Sequence, residues 1–158
     1  MKRKPAAVSV TPGPIERFLS ASEVEAHIER WMVSFGTDGT GIHIEQFLWH
    51  VFSYKRFPST SRSEAVAQYE QHVAAEFVVI SNDREAGLIT KKRPIACSWQ
   101  DWLVFPSNLA WTMAFTHEDE WLGPYFAKST MFESLDAENR KAVRKASEAE
   151  QARSKGWG

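Results

Sequence analysis

One cysteine, Cys97, occurs in 158 residues. No intramolecular disulfide can form, no thiolate-rich structural zinc site can be assembled, and the usage suits a reducing compartment. No apolar run approaches the ~20 residues that a membrane-spanning helix needs. Met1-Lys2-Arg3-Lys4-Pro5 is basic but lacks the continuous apolar segment of a secretory signal. The expectation is a cytoplasmic protein with no membrane partner. Phosphate-cradling loops are missing as well: there is no G-x-G-x-x-G and no P-loop, so a nucleotide cofactor has no basis. No G-x-S-x-G elbow supports serine catalysis. His43-x-Glu45, His50 and His117 do not reproduce a spacing as specific as H-E-x-x-H. Neither a cofactor nor a bound metal is expected.

The net charge of −1 conceals an uneven distribution. Residues 1–17 carry four Lys/Arg against one Glu, and residues 134–158 carry six Lys/Arg against four Asp/Glu, which leaves nine bases and fifteen acids in residues 18–133. An acidic body disfavours nucleic acid as a ligand, because gripping a polyanion relies on Lys/Arg displacing counterions. It is compatible with a basic protein partner, and equally with acids kept for solubility.

Aromatics are abundant: seven Trp and ten Phe. They imply a core of large rings, with some of them free to line a recognition surface. The length fits one domain. Residues 1–14, with three prolines and no apolar periodicity, read as a flexible basic arm, residues 15–133 as a single globular domain, and residues 134–158 as a polar C-terminal helix or tail. Ser20 or Ser22 can cap a helix in which Val24, Ile28, Trp31 and Phe35 recur at helical spacing, ended by Gly36. In residues 42–54, IHIEQFLWHVFSY, the stripe Ile44, Phe47, Leu48, Val51 and Phe52 favours a helix over a strand. Ser61 or Ser63 caps a further helix to about Ala75, with Val66, Tyr69 and Val73 inward.

From Glu76 the period becomes two. FVVIS (77–81), GLIT (87–90), WLVF (102–105) and AWTMAFT (110–116) read as antiparallel strands. In the last, Trp111, Met113 and Phe115 share one face; Ala110, Thr112, Ala114 and Thr116 share the other, where small residues imply a closely packed helix. Lys91-Lys92-Arg93 reads as an exposed basic loop. The Gly123-Pro124-Tyr125-Phe126 segment reads as a turn that returns aromatics to the core. The fold class is α+β, with about three helices on one face of a three- to four-stranded antiparallel sheet, plus the polar C-terminal helix. In that last helix only Leu135 and Val143 offer clear apolar anchors, so it docks loosely or projects into solvent.

The most concentrated chemistry follows the last of these strands: Thr116-His117-Glu118-Asp119-Glu120 and then Trp121. A His–carboxylate pair can do acid–base work, because imidazole titrates near neutrality and a carboxylate can fix its tautomer. Neighbours on an extended chain point in opposite directions, however, and a solvated acidic loop or a partner-binding loop fits the same residues. Cys97 reads as a small buried hydrophobe. His50, set among apolar residues, reads either as a satisfied, partly buried histidine or as one wall of a pocket shared with His117 and rimmed by Trp49, Trp121 and Tyr125.

Trp49-His50-Val51-Phe52-Ser53-Tyr54, together with Trp111-Thr112 … Thr116-His117-Glu118 … Gly123-Pro124-Tyr125-Phe126, resembles a family of uncharacterised bacterial proteins of similar length. Its members carry W-H-[IV]-F-S-Y and W-T-x-x-x-T-H-E…G-P-Y-F motifs, and the likeness spans roughly residues 23–127. The resemblance implies an immunity function in a bacterial toxin system, and it transfers no catalytic residue. The expected function is therefore a cytoplasmic immunity protein that binds a cognate toxin with a basic surface. Glu118, Asp119, Glu120, Trp121, Tyr125, His117 and His50 are the expected contact residues. The alternative is a small hydrolase or lyase using His50, His117 and Glu118, with or without a metal.

Overall fold

Ser20 starts the first long element. Its hydroxyl accepts from the Glu23 N–H at 3.2 Å while Glu23 Oε1 accepts from the Ser20 N–H at 3.0 Å. This reciprocal box satisfies two donors that a helix start otherwise leaves open. The helix ends at Gly36, where a Cβ would stand 2.5 Å from the Met32 carbonyl oxygen. A computed structural model describes residues 8–36, 50–53, 57–117 and 123–156; in the 50–53 helix it describes the side chains of Val51 and Phe52.

In chain order the elements are β1 (Val10–Thr11), β2 (Arg17–Phe18), α1 (Ala21–Phe35), α2 (His50–Ser53), β3 (Thr60–Ser61), α3 (Arg62–Gln71), β4 (Phe77–Ser81), β5 (Gly87–Thr90), β6 (Ala96–Cys97), β7 (Trp102–Phe105), β8 (Trp111–Phe115), β9 (Tyr125–Lys128) and α4 (Phe132–Ser154). Seven strands form one antiparallel sheet in the order β2-β5-β4-β7-β8-β9-β3, and β1 pairs β6 as a separate ribbon. The fold class is α+β, as the periodicities indicate.

The expected sheet of three to four strands is too small. The four strands read from alternation form its centre; the rest come from β9, which lies in the segment read as a turn, and from the two-residue margins β2 and β3. The helices also do not share one face. Val24, Ile28, Trp31 and Phe35 of α1, with Val51 and Phe52 of α2, pack on Ile80, Leu103, Phe105 and Ala114. Ala65 and Tyr69 of α3, with Phe132 and Leu135 of α4, pack on Val79, Val104, Trp111 and Met113 of the opposite face. The cause is in the strands: every residue of β4 and β7 is buried, so both sides of the sheet need cover.

The small face of β8 does receive a helix. Thr112 and Ala114 let α1 approach closely, and the Trp31 indole N–H donates to Thr112 Oγ1 at 3.0 Å. Val66, expected inward, is 38% exposed; Ala65 and Tyr69 are the buried positions of α3. Residues 8–14 of the expected arm lie against the body through the β1–β6 pairing, and Val8 and Val10 pack on the α3 side. Arg93 is not an exposed loop residue. Its guanidinium lies 5.3 Å from the ring centroids of both Tyr69 and Phe77 and donates to Tyr69 O at 2.5 Å.

α4 is docked by its first turns. Asn108 Nδ2 donates to Leu135 O at 3.0 Å, Asn139 Nδ2 donates to Asn108 Oδ1 at 3.2 Å, and buried Asp136 pairs with Arg140 at 2.8 Å. Beyond Val143 the helix is almost wholly exposed.

Candidate functional site at one end of the sheet

Strand register decides which loops meet. Ser81 pairs with Trp102, and Trp102 pairs with Phe115. The turn after β4, the loop before β7 and the exit of β8 therefore converge at one end of the sheet. Beneath them the Trp102 and Phe115 rings stack at 4.2 Å with 15° between planes, giving that end a stiff floor.

Asp101 ties the three segments together. Its carbonyl accepts from the Asn82 N–H at 3.0 Å. Its carboxylate Oδ1 accepts from the His117 backbone N–H at 2.9 Å. The same carboxylate meets the His117 ring nitrogen Nδ1 at 2.9 Å through Oδ1 and 3.2 Å through Oδ2. The Asp101 side chain is 11% exposed and that of His117 is 34% exposed, so the carboxylate is set into the wall and the imidazole lies outside it. The carboxylate faces Nδ1, an orientation that favours a ring proton on that nitrogen.

The β4–β5 turn adds a second ordered carboxylate. Asp83 Oδ1 accepts from Ser81 Oγ at 2.5 Å and from the Glu85 N–H at 3.0 Å. Arg84 takes a left-handed φ of 66°, which reverses the chain. Between residues 81–83 and 98–101 lies a cleft of about 350 Å³. A second cleft of about 310 Å³ lies between Pro58–Thr60, Gln68 and the Phe126–Lys128 segment of β9.

Of the seven expected contact residues, the structure describes the side chains of His117 and Tyr125. His117 sits at this end of the sheet and is partly exposed, and the carboxylate that meets it is Asp101. Tyr125 corrects the expectation: it is 5% exposed and packs in the α1 face of the core against Phe52 at 6.3 Å, so it is no surface anchor. Glu118, Asp119, Glu120 and Trp121 lie outside the described residues, as does the side chain of His50 and with it the expected His50–His117 pocket.

Reading residue by residue missed Asp101. The signal was available in the hairpin: once WLVF and AWTMAFT are paired, the residue before the first strand and the residues after the second must be neighbours. Cys97 pairs with Val10 at the ribbon, where burial pushes its thiol up, away from the reactive thiolate. Among the described residues no group of three or more His, Cys, Asp or Glu could hold a metal ion, and no helix is long and apolar enough to cross a membrane.

A family model described as a domain of unknown function, DUF4275, matches residues 35–126. That span runs from the end of α1 to β9 and contains both the sheet centre and His117. No curated protein and no solved structure matches the chain.

Proposed function

We propose that this chain, which belongs to the DUF4275 family, is an immunity protein that binds a cognate bacterial toxin through the acidic end of its sheet. One observation carries the reading. Asp83, Glu85 and Asp101 stand in the described loops of that end, with Arg84 the one Lys or Arg in residues 82–86, 98–101 and 116–117, and Glu118, Asp119 and Glu120 follow His117 directly in the chain. The described loops of that end rise from the stacked rings of Trp102 and Phe115.

The surface this suits on the toxin is basic, of the kind that itself contacts nucleic acid. Complementary charge speeds encounter and sets selectivity, while an aromatic such as Trp121 supplies the desolvated anchor. The lone cysteine suits action in the cytoplasm. Capture from the native host with a tagged chain, combined with protection of toxin-expressing cells, tests the proposal. A toxin-like protein is expected in the capture, and a Glu118→Lys/Asp119→Lys/Glu120→Lys variant is expected to lose protection. Recovery of no such protein, or full protection by the variant, overturns it.

The His117–Asp101 geometry favours one second reading, a small hydrolase or lyase in which His117 is the base and Asp101 orients it. Nitrogen chemical shifts of the imidazole test this. A ring locked with its proton on Nδ1, and released by Asp101→Asn, supports it; a ring exchanging freely between tautomers in the parent removes it.

A further inference from the structure

The cleft between β3 and β9 lies toward the other end of β8 from His117: Lys128 pairs with Trp111, the first residue of β8, and Phe115 is the last. Register explains the gap. Thr60 pairs with Phe126 and Ser61 with Tyr125, and the Arg62 N–H donates to Pro124 O at 3.1 Å. Backbone groups alternate sides along a strand, so the twist that turns Pro124 and Phe126 toward β3 turns the N–H and C=O of Lys128 to that side as well. The residue due opposite Lys128 is Pro58, which has no amide hydrogen, and β3 begins only at Thr60. The Lys128 N–H and C=O take no hydrogen bond among the described residues. The Lys128 ammonium lies 4.8 Å from the Phe132 ring centroid and takes no ion pair among them. The side-chain amide of half-buried Gln68, in the lining of the cleft, also takes no hydrogen bond among them. Buried Phe126 and Ala127 form the floor, and Pro58 lines the side facing them.

We propose that this cleft captures the free C-terminal residue of a partner polypeptide. A terminal residue offers one N–H donor and one carboxylate, the complement of what Lys128 leaves open. Paired antiparallel to Lys128, its N–H donates to the Lys128 C=O and its carboxylate accepts from the Lys128 N–H, with the ammonium as counter-charge. The Gln68 amide offers a further donor. A through-running strand fits poorly, because it needs a continuing ladder and the edge has one open residue. A volume of about 310 Å³ is near the lower limit of ligand pockets, a size for a chain end of one or two residues. An apolar terminal side chain suits Phe126 and Pro58. The cleft shares no residue with the acidic end of the sheet, so toxin binding there and capture here are separate properties.

The isotope-labelled full chain, followed by NMR, is titrated with acetyl-alanyl-alanyl-valine, with the same tripeptide ending in a carboxamide, and with isovalerate. The free acid is expected to shift the backbone amides of Ser59, Thr60 and Lys128 and the side-chain amide of Gln68, saturably and on the order of millimolar concentration. The carboxamide lacks the charge and isovalerate lacks the N–H donor, so each is expected to bind about tenfold more weakly or worse. Lys128 is exposed. Lys128→Gln should therefore leave the remaining spectrum unchanged and weaken the free acid about tenfold, the worth of one hydrogen bond to a charged group. Absence of shifts, equal binding of the carboxamide, or unaltered binding by Lys128→Gln overturns the proposal. Isovalerate binding as tightly as the free acid assigns the cleft to simple carboxylates and also overturns it.

Discussion

Trp31 and Thr112 meet in the buried seam between α1 and β8, where the indole N–H donates to Thr112 Oγ1 at 3.0 Å and the hydroxyl in turn donates to Val104 O at 3.3 Å. The hydroxyl therefore links helix, strand and neighbouring strand at a place where Trp31 and Thr112 are each 0% exposed. Thr112→Val preserves the shape and removes both bonds. It leaves a buried indole N–H without an acceptor, and the expected loss is about 1–3 kcal/mol of unfolding free energy. Thr112→Ser, which keeps the hydroxyl, should lose less. Urea denaturation followed by tryptophan fluorescence measures both.

Tyr125 gives a test that separates core from surface. Its ring packs 6.3 Å from that of Phe52 within the α1-side core. Tyr125→Ala should destabilise the fold by about 3–5 kcal/mol, as large aromatic truncations do. An exposed contact residue would change stability by no more than about 0.5 kcal/mol. Comparing denaturant midpoints of Tyr125→Ala and the parent decides which description holds.

Glu23 makes the acid limb of stability measurable. The Arg17 guanidinium, with Nη2 2.9 Å from Glu23 Oε2, lowers the carboxyl from its ordinary value of about 4.5 to about 2. The folded state therefore holds its proton less tightly than the unfolded chain. The contribution is fully present above the unfolded value and is lost as pH falls from about 4.5 toward about 2. Glu23→Gln retains a side chain able to complete the capping box and removes the charge. Its stability should fall less steeply than the parent's across that window. Parallel slopes in urea titrations at several pH values would count against the ion pair.

The two halves of α4 should respond differently. A chain ending at residue 145 keeps the Asn108, Asp136 and Asn139 contacts, and its stability should stay within about 0.5 kcal/mol of the parent. Asn108→Ala removes the bond to Leu135 O and the acceptor for Asn139. It should cost about 1–3 kcal/mol by leaving buried polar groups unpaired. Thermal melts of both variants check the contrast. Deletion from residue 134 onward removes Leu135 and Asn139 as well, so a loss of function from that deletion would report on the core.

Periodicity made the centre of this fold legible because burial on one side writes itself into spacing. The stripe Val24, Ile28, Trp31 and Phe35 is the buried face of α1, and the four strands from Phe77 to Phe115 lie at the expected places. Which sheet face a helix covers is not written that way: a stripe shows that a side is buried, not what buries it. The margins β2 and β3 were illegible because two residues carry no period and owe their conformation to partners far along the chain. β9 was masked by the Gly123-Pro124 turn signal before it. At the candidate site, His117 stood out by composition, whereas Asp101 is sixteen positions away and becomes its partner only through the β7–β8 register.

Both outer strands of the large sheet are two residues long, and Pro58, which has no amide hydrogen to offer, lies two positions before β3 begins. Such abbreviated borders give a stray strand almost no ladder to extend, so copies of this chain have little means of zipping together side by side. Crowding the chain in solution therefore gives its sheets few places from which fibres could be seeded.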